Sequence, residues 1–182
     1  MAFVFSWDLP DPQSNIYEKR WREQSTDYRR ELERIQRKLR PNTREFAMAE
    51  WHYDYSDPRC PHDAWLEAVT VSERADPADI ALRSLQIGTR LLGAYQNGFI
   101  ELTYADVESY TLDMPHRRPA RADGRPSHGD WMIDEIRFSR HGKIIHEIEW
   151  RNGGHWIIEC NDIEYRWLPS PEQTEAAPAD SA

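Results

Sequence analysis

Three turn signals in the last third of the chain constrain its fold more than any other feature. Arg140-His141-Gly142 and Arg151-Asn152-Gly153 each read as a three-residue hairpin loop ending in a left-handed glycine, and Asn161-Asp162 reads as a two-residue loop. Loop length fixes strand register, and register decides which side chains share a face. The loops set Ile136 opposite His146, Asp134 opposite Ile148 and Met132 opposite Trp150. They continue with Ile148 opposite Trp156, His146 opposite Ile158, Ile158 opposite Tyr165, and Trp156 opposite Trp167. All three turns agree on a single apolar face. The sequence therefore predicts a four-strand antiparallel meander over 131–138, 143–150, 155–160 and 163–168. Burial of Ile148 and Trp156 on that face should contribute on the order of 2–3 kcal/mol each.

Upstream, residues 14–40 read as one long helix. Asn15 and Glu18 have capping-box spacing, Pro41 closes the run, and Trp21, Tyr28, Leu32, Ile35 and Leu39 form a narrow apolar stripe. A narrow stripe suits a helix lying on a sheet, or pairing with the same helix of a second copy as a homodimer. From Phe46 the period changes to two. Trp51, Tyr53 and Tyr55 alternate with polar residues, then Trp65, Glu67, Val69 and Val71 alternate with small ones. Further strands are expected over 82–95, although Asp76-Pro77-Ala78-Asp79 could instead start a short helix through about Gln86, and over 99–104 and 107–112, with Gln96-Asn97-Gly98 as a hairpin turn. The expected fold is α+β: a long N-terminal helix packed with a mostly antiparallel sheet of seven to nine strands. It forms one domain over 1–168 (helix 14–40, sheet 46–168), followed by a disordered tail at 169–182.

With eight Trp and eight Tyr among 182 residues, the chain has ample material for a core. It has no apolar run of membrane-spanning length, and Met1–Trp7 lacks the basic start of a signal peptide. Cys60 and Cys160 form neither a disulfide framework nor a metal knuckle, so a cytoplasmic protein with reduced thiols is expected. Phosphate loops, nucleophile elbows, zincin helices and C-x-x-C pairs are missing, so no cofactor is expected. The net charge is −9; the 14–40 segment carries +4 and the remainder −13. Interleaved acids and an acidic body argue against nucleic acid despite the arginines of the helix.

Three features could carry function. Asp134 and His146 are polar intruders on the apolar face of neighbouring strands, where a carboxylate could orient a histidine base or simply satisfy it. His128 and Asp130, in H-x-D spacing, could join them in a metal-dependent or His/Asp hydrolase. The opposite face carries Glu135, Glu147, Glu149 and Glu159, and the register sets Glu135 across from Glu147 and Glu159 across from Glu164. Like charges directly opposite repel. That arrangement invites a cationic cover, either a basic protein or the chain's own helix. The 113–130 loop adds His116, Arg117, Arg118, Arg121 and Arg125, which could grip phosphate or an acidic surface.

A small acidic chain with a tryptophan-rich meander is similar in general look to immunity proteins of toxin systems. No motif carries that likeness, so no residue role follows from it. The expected function is a non-enzymatic protein-binding module that covers a basic partner such as a toxin domain. The rival expectation is the small hydrolase built on His128, Asp130, Asp134 and His146.

Overall fold

The computed structural model describes residues 15–76, 78–114 and 127–170. The arginine cluster at 117–125 and the tail from residue 171 lie outside the described residues. Helix α1 (Asn15–Ile35) is shorter than the 14–40 run expected, giving way to a 3-10 turn at Gln36–Lys38. Pro41 does not close a helix. It opens a second one, α2 (Pro41–Ala47), at the first-turn position where its missing N–H costs nothing. The alternation at 50–55 is not a strand either: Glu50–Tyr53 is a 3-10 turn that buries His52.

Among the described residues eight strands follow: β1 (Trp65–Ala75), β2 (Arg83–Leu92), β3 (Gly98–Ala105), β4 (Ser109–Leu112), β5 (Trp131–Phe138), β6 (Ile144–Trp150), β7 (His155–Cys160) and β8 (Asp162–Pro169). They form two antiparallel four-stranded sheets, β1-β2-β3-β8 and β4-β7-β6-β5. One buried apolar cluster draws on both sheets and both helices.

The register expected for 131–160 holds from Asp134 onward: Asp134 faces Ile148, Ile136 and Ile158 face His146, and Ile148 faces Trp156. Gly142 and Gly153 take the left-handed backbone that such loops require, at φ +77° and +80°. A bulge between Trp131 and Ile133 shifts the start of β5, so Trp131 rather than Met132 faces Trp150.

The fourth strand of the meander goes elsewhere. β8 pairs with β3, not β7, so Tyr165 faces Leu102 and Trp167 faces Ile100. The place expected beside β7 is taken by β4. Asn161-Asp162 is a corner, not a hairpin. Asn161 N–H bonds Ala105 C=O at 3.0 Å, Glu108 N–H bonds Glu159 C=O at 2.8 Å, and the two-strand ribbon thus continues from one sheet into the other. Asp162 is held at that corner by α2, accepting from the Thr43 hydroxyl at 2.6 Å, Thr43 N–H at 3.1 Å and Asn42 Nδ2 at 3.0 Å. The expected facing of Glu159 and Glu164 disappears with the hairpin: Glu159 faces Ser109, and Glu164 faces Thr103 in the other sheet.

On the far side, β1 meets the residue just before β5 at one bridge, Trp65 to Asp130, reinforced by Trp131 N–H to Ala64 C=O and Asp63 N–H to Trp131 C=O, both 2.9 Å. No helix among the described residues is long and apolar enough to cross a membrane.

Candidate functional site

Asp134 and His146 do meet, but their third partner is His52, one of the polar residues that alternate with Trp51, Tyr53 and Tyr55. Both imidazoles present Nε2 to the Asp134 carboxylate at 3.0 Å, and Trp131 Nε1–H donates to it at 3.2 Å. Aspartate and both histidines are at most 2% exposed. The 3-10 turn brings His52 in, β5 carries Asp134, and β6 carries His146, so the cluster ties three elements together.

Hydrogen-bond partners assign the protons. His52 Nδ1 lies 3.1 Å from Phe46 C=O, which can only accept, while its Nε2 faces the carboxylate. Both nitrogens of His52 thus face acceptors, an arrangement that a doubly protonated, positively charged imidazole satisfies. Its ring is sandwiched between Phe46 at 4.2 Å and Tyr53 at 4.3 Å, faces that favour a cation. His146 needs only one proton: Nε2–H donates to Asp134, and Nδ1 accepts from the Tyr104 hydroxyl at 2.9 Å. Burial would push the Asp134 carboxyl up. The charge of His52 and hydrogen bonds from both imidazoles overcome that and hold it well below the usual carboxylate range.

The cluster is saturated. Both histidines have both nitrogens engaged, and the carboxylate faces three donors. A sealed, fully bonded ion pair of this kind fixes geometry and offers no base to a substrate. His128 and Asp130 do not join it. His128 packs against Trp150 at 5.3 Å and Trp156 at 5.2 Å, and Asp130 pairs with Arg151 at 2.8 Å. Among the described residues no group of His, Cys, Asp or Glu is arranged to hold a metal ion. Cys60 and Cys160 are buried thiols, each pushed up to about 12 by desolvation.

The acidic face is not an open carboxylate array. Glu135 and Glu147 do face each other, yet both are buried. Glu147 is paired with Arg137 and, at 2.8 Å, with His155 Nε2. Glu149 lies 3.5 Å from the same imidazole, its carboxyl pushed up by burial and by Glu147 against the pull of His155. α1 packs against β5, the strand that bears Glu135.

The residues missed by sequence lie beside this network. The outer edge of β5 is clothed by tyrosines: the Tyr53 hydroxyl donates to Asp134 C=O at 3.0 Å, and Ile136 N–H donates to the Tyr28 hydroxyl at 2.6 Å. Tyr28 was visible as part of the helix stripe, but nothing in the sequence marked its hydroxyl as an edge cap. Above these two rings, α1 and the 47–55 segment enclose an open groove of about 680 Å³. Leu32, Met48, Tyr53 and Tyr55 line it, with Arg22 and Arg29 contributed by α1. Comparison with protein-family models, curated proteins and solved structures found no match at any of the three levels.

Proposed function

We propose that the chain is a non-enzymatic protein-binding module for a basic partner, in the manner of an immunity protein for a toxin domain, with the groove between α1 and residues 47–55 as its contact surface. The observation that carries this reading is the contrast between a sealed ionisable cluster and an open groove. The lining of the groove includes tyrosines, a methionine and arginines, residue types enriched at protein interfaces, together with Glu33 and Glu50, which a basic partner would meet. The net charge of −9 favours a basic partner through long-range steering. The acidic sheet face, with Glu147 and Glu149 already engaged by His155, offers a weaker motive than it did as a row of unpaired carboxylates.

The test is capture from the native host with the wild-type chain and with Met48→Glu, a half-buried groove position. A basic protein held by the wild type and lost by Met48→Glu, with circular dichroism unchanged, is the expected result. Capture that ignores the groove substitution would sink the reading. So would hydrolysis of a substrate panel that disappears in a folded His146→Asn variant, which would restore the enzyme.

A further inference from the structure

Among the described residues β1 is the longest strand and the least covered. It is an edge strand of eleven residues, and among the described residues no backbone group pairs with its outer edge beyond the single bridge at Trp65. Val69 and Val71 stand opposite the buried Thr89 and Ile87, so they point to the core side of the sheet, yet they are 39% and 42% exposed. Edge strands are ordinarily blunted by lysine, proline, short length or a covering element. The other edges here follow that rule: β5 is capped by tyrosines, β8 is flanked by α2, with Ile163 N–H donating to Thr43 Oγ1 at 2.8 Å, and β4 is only four residues long. β1 contains neither lysine nor proline, and its central run Ala68-Val69-Thr70-Val71-Ser72 is uncharged.

We infer that two copies of the chain pair antiparallel through β1 about a twofold axis at Thr70, joining two four-stranded sheets into one of eight strands. The strand is self-complementary in that register. Thr70 meets Thr70 of the second copy on the outer face, and Ala68 meets Ser72. On the core side Val69 meets Val71, twice by symmetry, covering the exposed valines with each other. β-branched pairs across strands are favourable. The flanks agree in charge because of the bulge between Leu66 and Ala68. In an unbroken strand Glu67 would lie directly across from Glu73 of the second copy. The bulge turns Glu67 to the outer face, where it reaches Arg90 at 3.2 Å, while Glu73 stays opposite Leu85 on the core side. Glu67 then has Arg74 of the second copy as its outer-face neighbour, and Arg74 has no ion-pair partner among the described residues. A twofold contact of this kind is closed, so it yields a dimer and not a fibre.

The experiment measures mass by sedimentation equilibrium at micromolar concentration, with cysteine cross-linking to read the register. The wild type should sediment at twice the chain mass, and Val69→Lys/Val71→Lys should halve it with circular dichroism unchanged. Thr70→Cys, on the axis, should form a covalent dimer under mild oxidant; Ser72→Cys, whose copies stand roughly 13 Å apart at about 3.3 Å per residue, should not. Buried Cys60 and Cys160 leave the background silent. A monomeric wild type overturns the inference. So does a dimer that persists in the folded double-lysine variant, which would place the contact elsewhere, the α1 stripe included. Equal cross-linking of Thr70→Cys and Ser72→Cys overturns the register even if the lysine variant fails to fold.

Discussion

β5 and β1 are edge strands of different sheets, linked at one bridge between Trp65 and Asp130 just before β5, and the chain treats them in opposite ways. Beside β5 it places a 3-10 turn and a helix whose tyrosines bond the outward C=O of Asp134 and N–H of Ile136. Past the bridge at Trp65, no backbone group among the described residues pairs with the outer edge of β1. The difference follows from what each strand carries inward. β5 bears Asp134, a buried carboxylate that must keep water out and three donors in place, so any fraying of its edge would expose an ion pair to competition. β1 turns Val69 and Val71 to that side, residues with no buried charge to shield from water. One edge is closed to protect chemistry that cannot tolerate solvent. The other is left free to meet a partner.

The largest effect should come from the charge that β5 protects. Asp134→Asn leaves the His52 cation buried without its counter-ion, and losing one member of a buried pair costs about 3–5 kcal/mol. Urea melts of the two proteins should show that loss, and a cost below about 1 kcal/mol would mean that the pair is not ionised. Acid tests the same group in the wild type. The folded-state carboxyl lies below its unfolded value of about 3.9, so its stabilisation is complete above roughly pH 4 and is lost as pH falls further toward the depressed value. Wild-type stability should therefore drop in that acid window, and Asp134→Asn should show a shallower dependence there.

Next comes the cap itself. Tyr28→Phe removes the acceptor from a buried Ile136 N–H and should cost about 1–3 kcal/mol. Tyr53→Phe should cost less, because a carbonyl tolerates a missing partner better than an N–H does. Paired thermal melts would check the order. If Tyr28→Phe proves neutral, water replaces the hydroxyl and the edge of β5 is not sealed.

The surroundings of β5 are legible in the residues only in part, and the missing parts have identifiable causes. The β5–β6–β7 register was legible because Gly142 and Gly153 fix loop length, and loop length fixes facing. It placed Asp134 and His146 together on the buried face. β8 was misplaced because alternation reports inside against outside and not which sheet. Ile163, Tyr165 and Trp167 face the same core from either one. Asn161-Asp162 has the composition of a turn, and its use as a corner depends on Thr43 of α2, more than a hundred residues away. His52 was lost for a related reason. Trp51, Tyr53 and Tyr55 mimic a strand face, whereas the 3-10 turn rotates His52 inward to a carboxylate 82 positions on. Contacts that distant leave no local periodicity to read.

The smallest expected effect sharpens the comparison most, because it asks whether β1 is as dispensable to the monomer as its exposure implies. Val69→Lys/Val71→Lys adds two charges on the core side of the strand, where a well-covered site would exact several kcal/mol. At positions about 40% exposed, lysine stems can lie along the neighbouring apolar surface with their ammonium groups in water. The change in monomer stability should therefore stay within about 0.5 kcal/mol, the range for surface substitutions away from buried features. The measurement must separate folding from association, since a dimer adds apparent stability that grows with concentration. Denaturant melts over a dilution series do so. Wild-type midpoints should fall on dilution and converge on the variant's, which should not move. A variant that remains destabilised by 2 kcal/mol or more at the lowest concentration would show that Val69 and Val71 belong to the monomer's own core. β1 would then be a second protected edge, and its contrast with β5 would collapse.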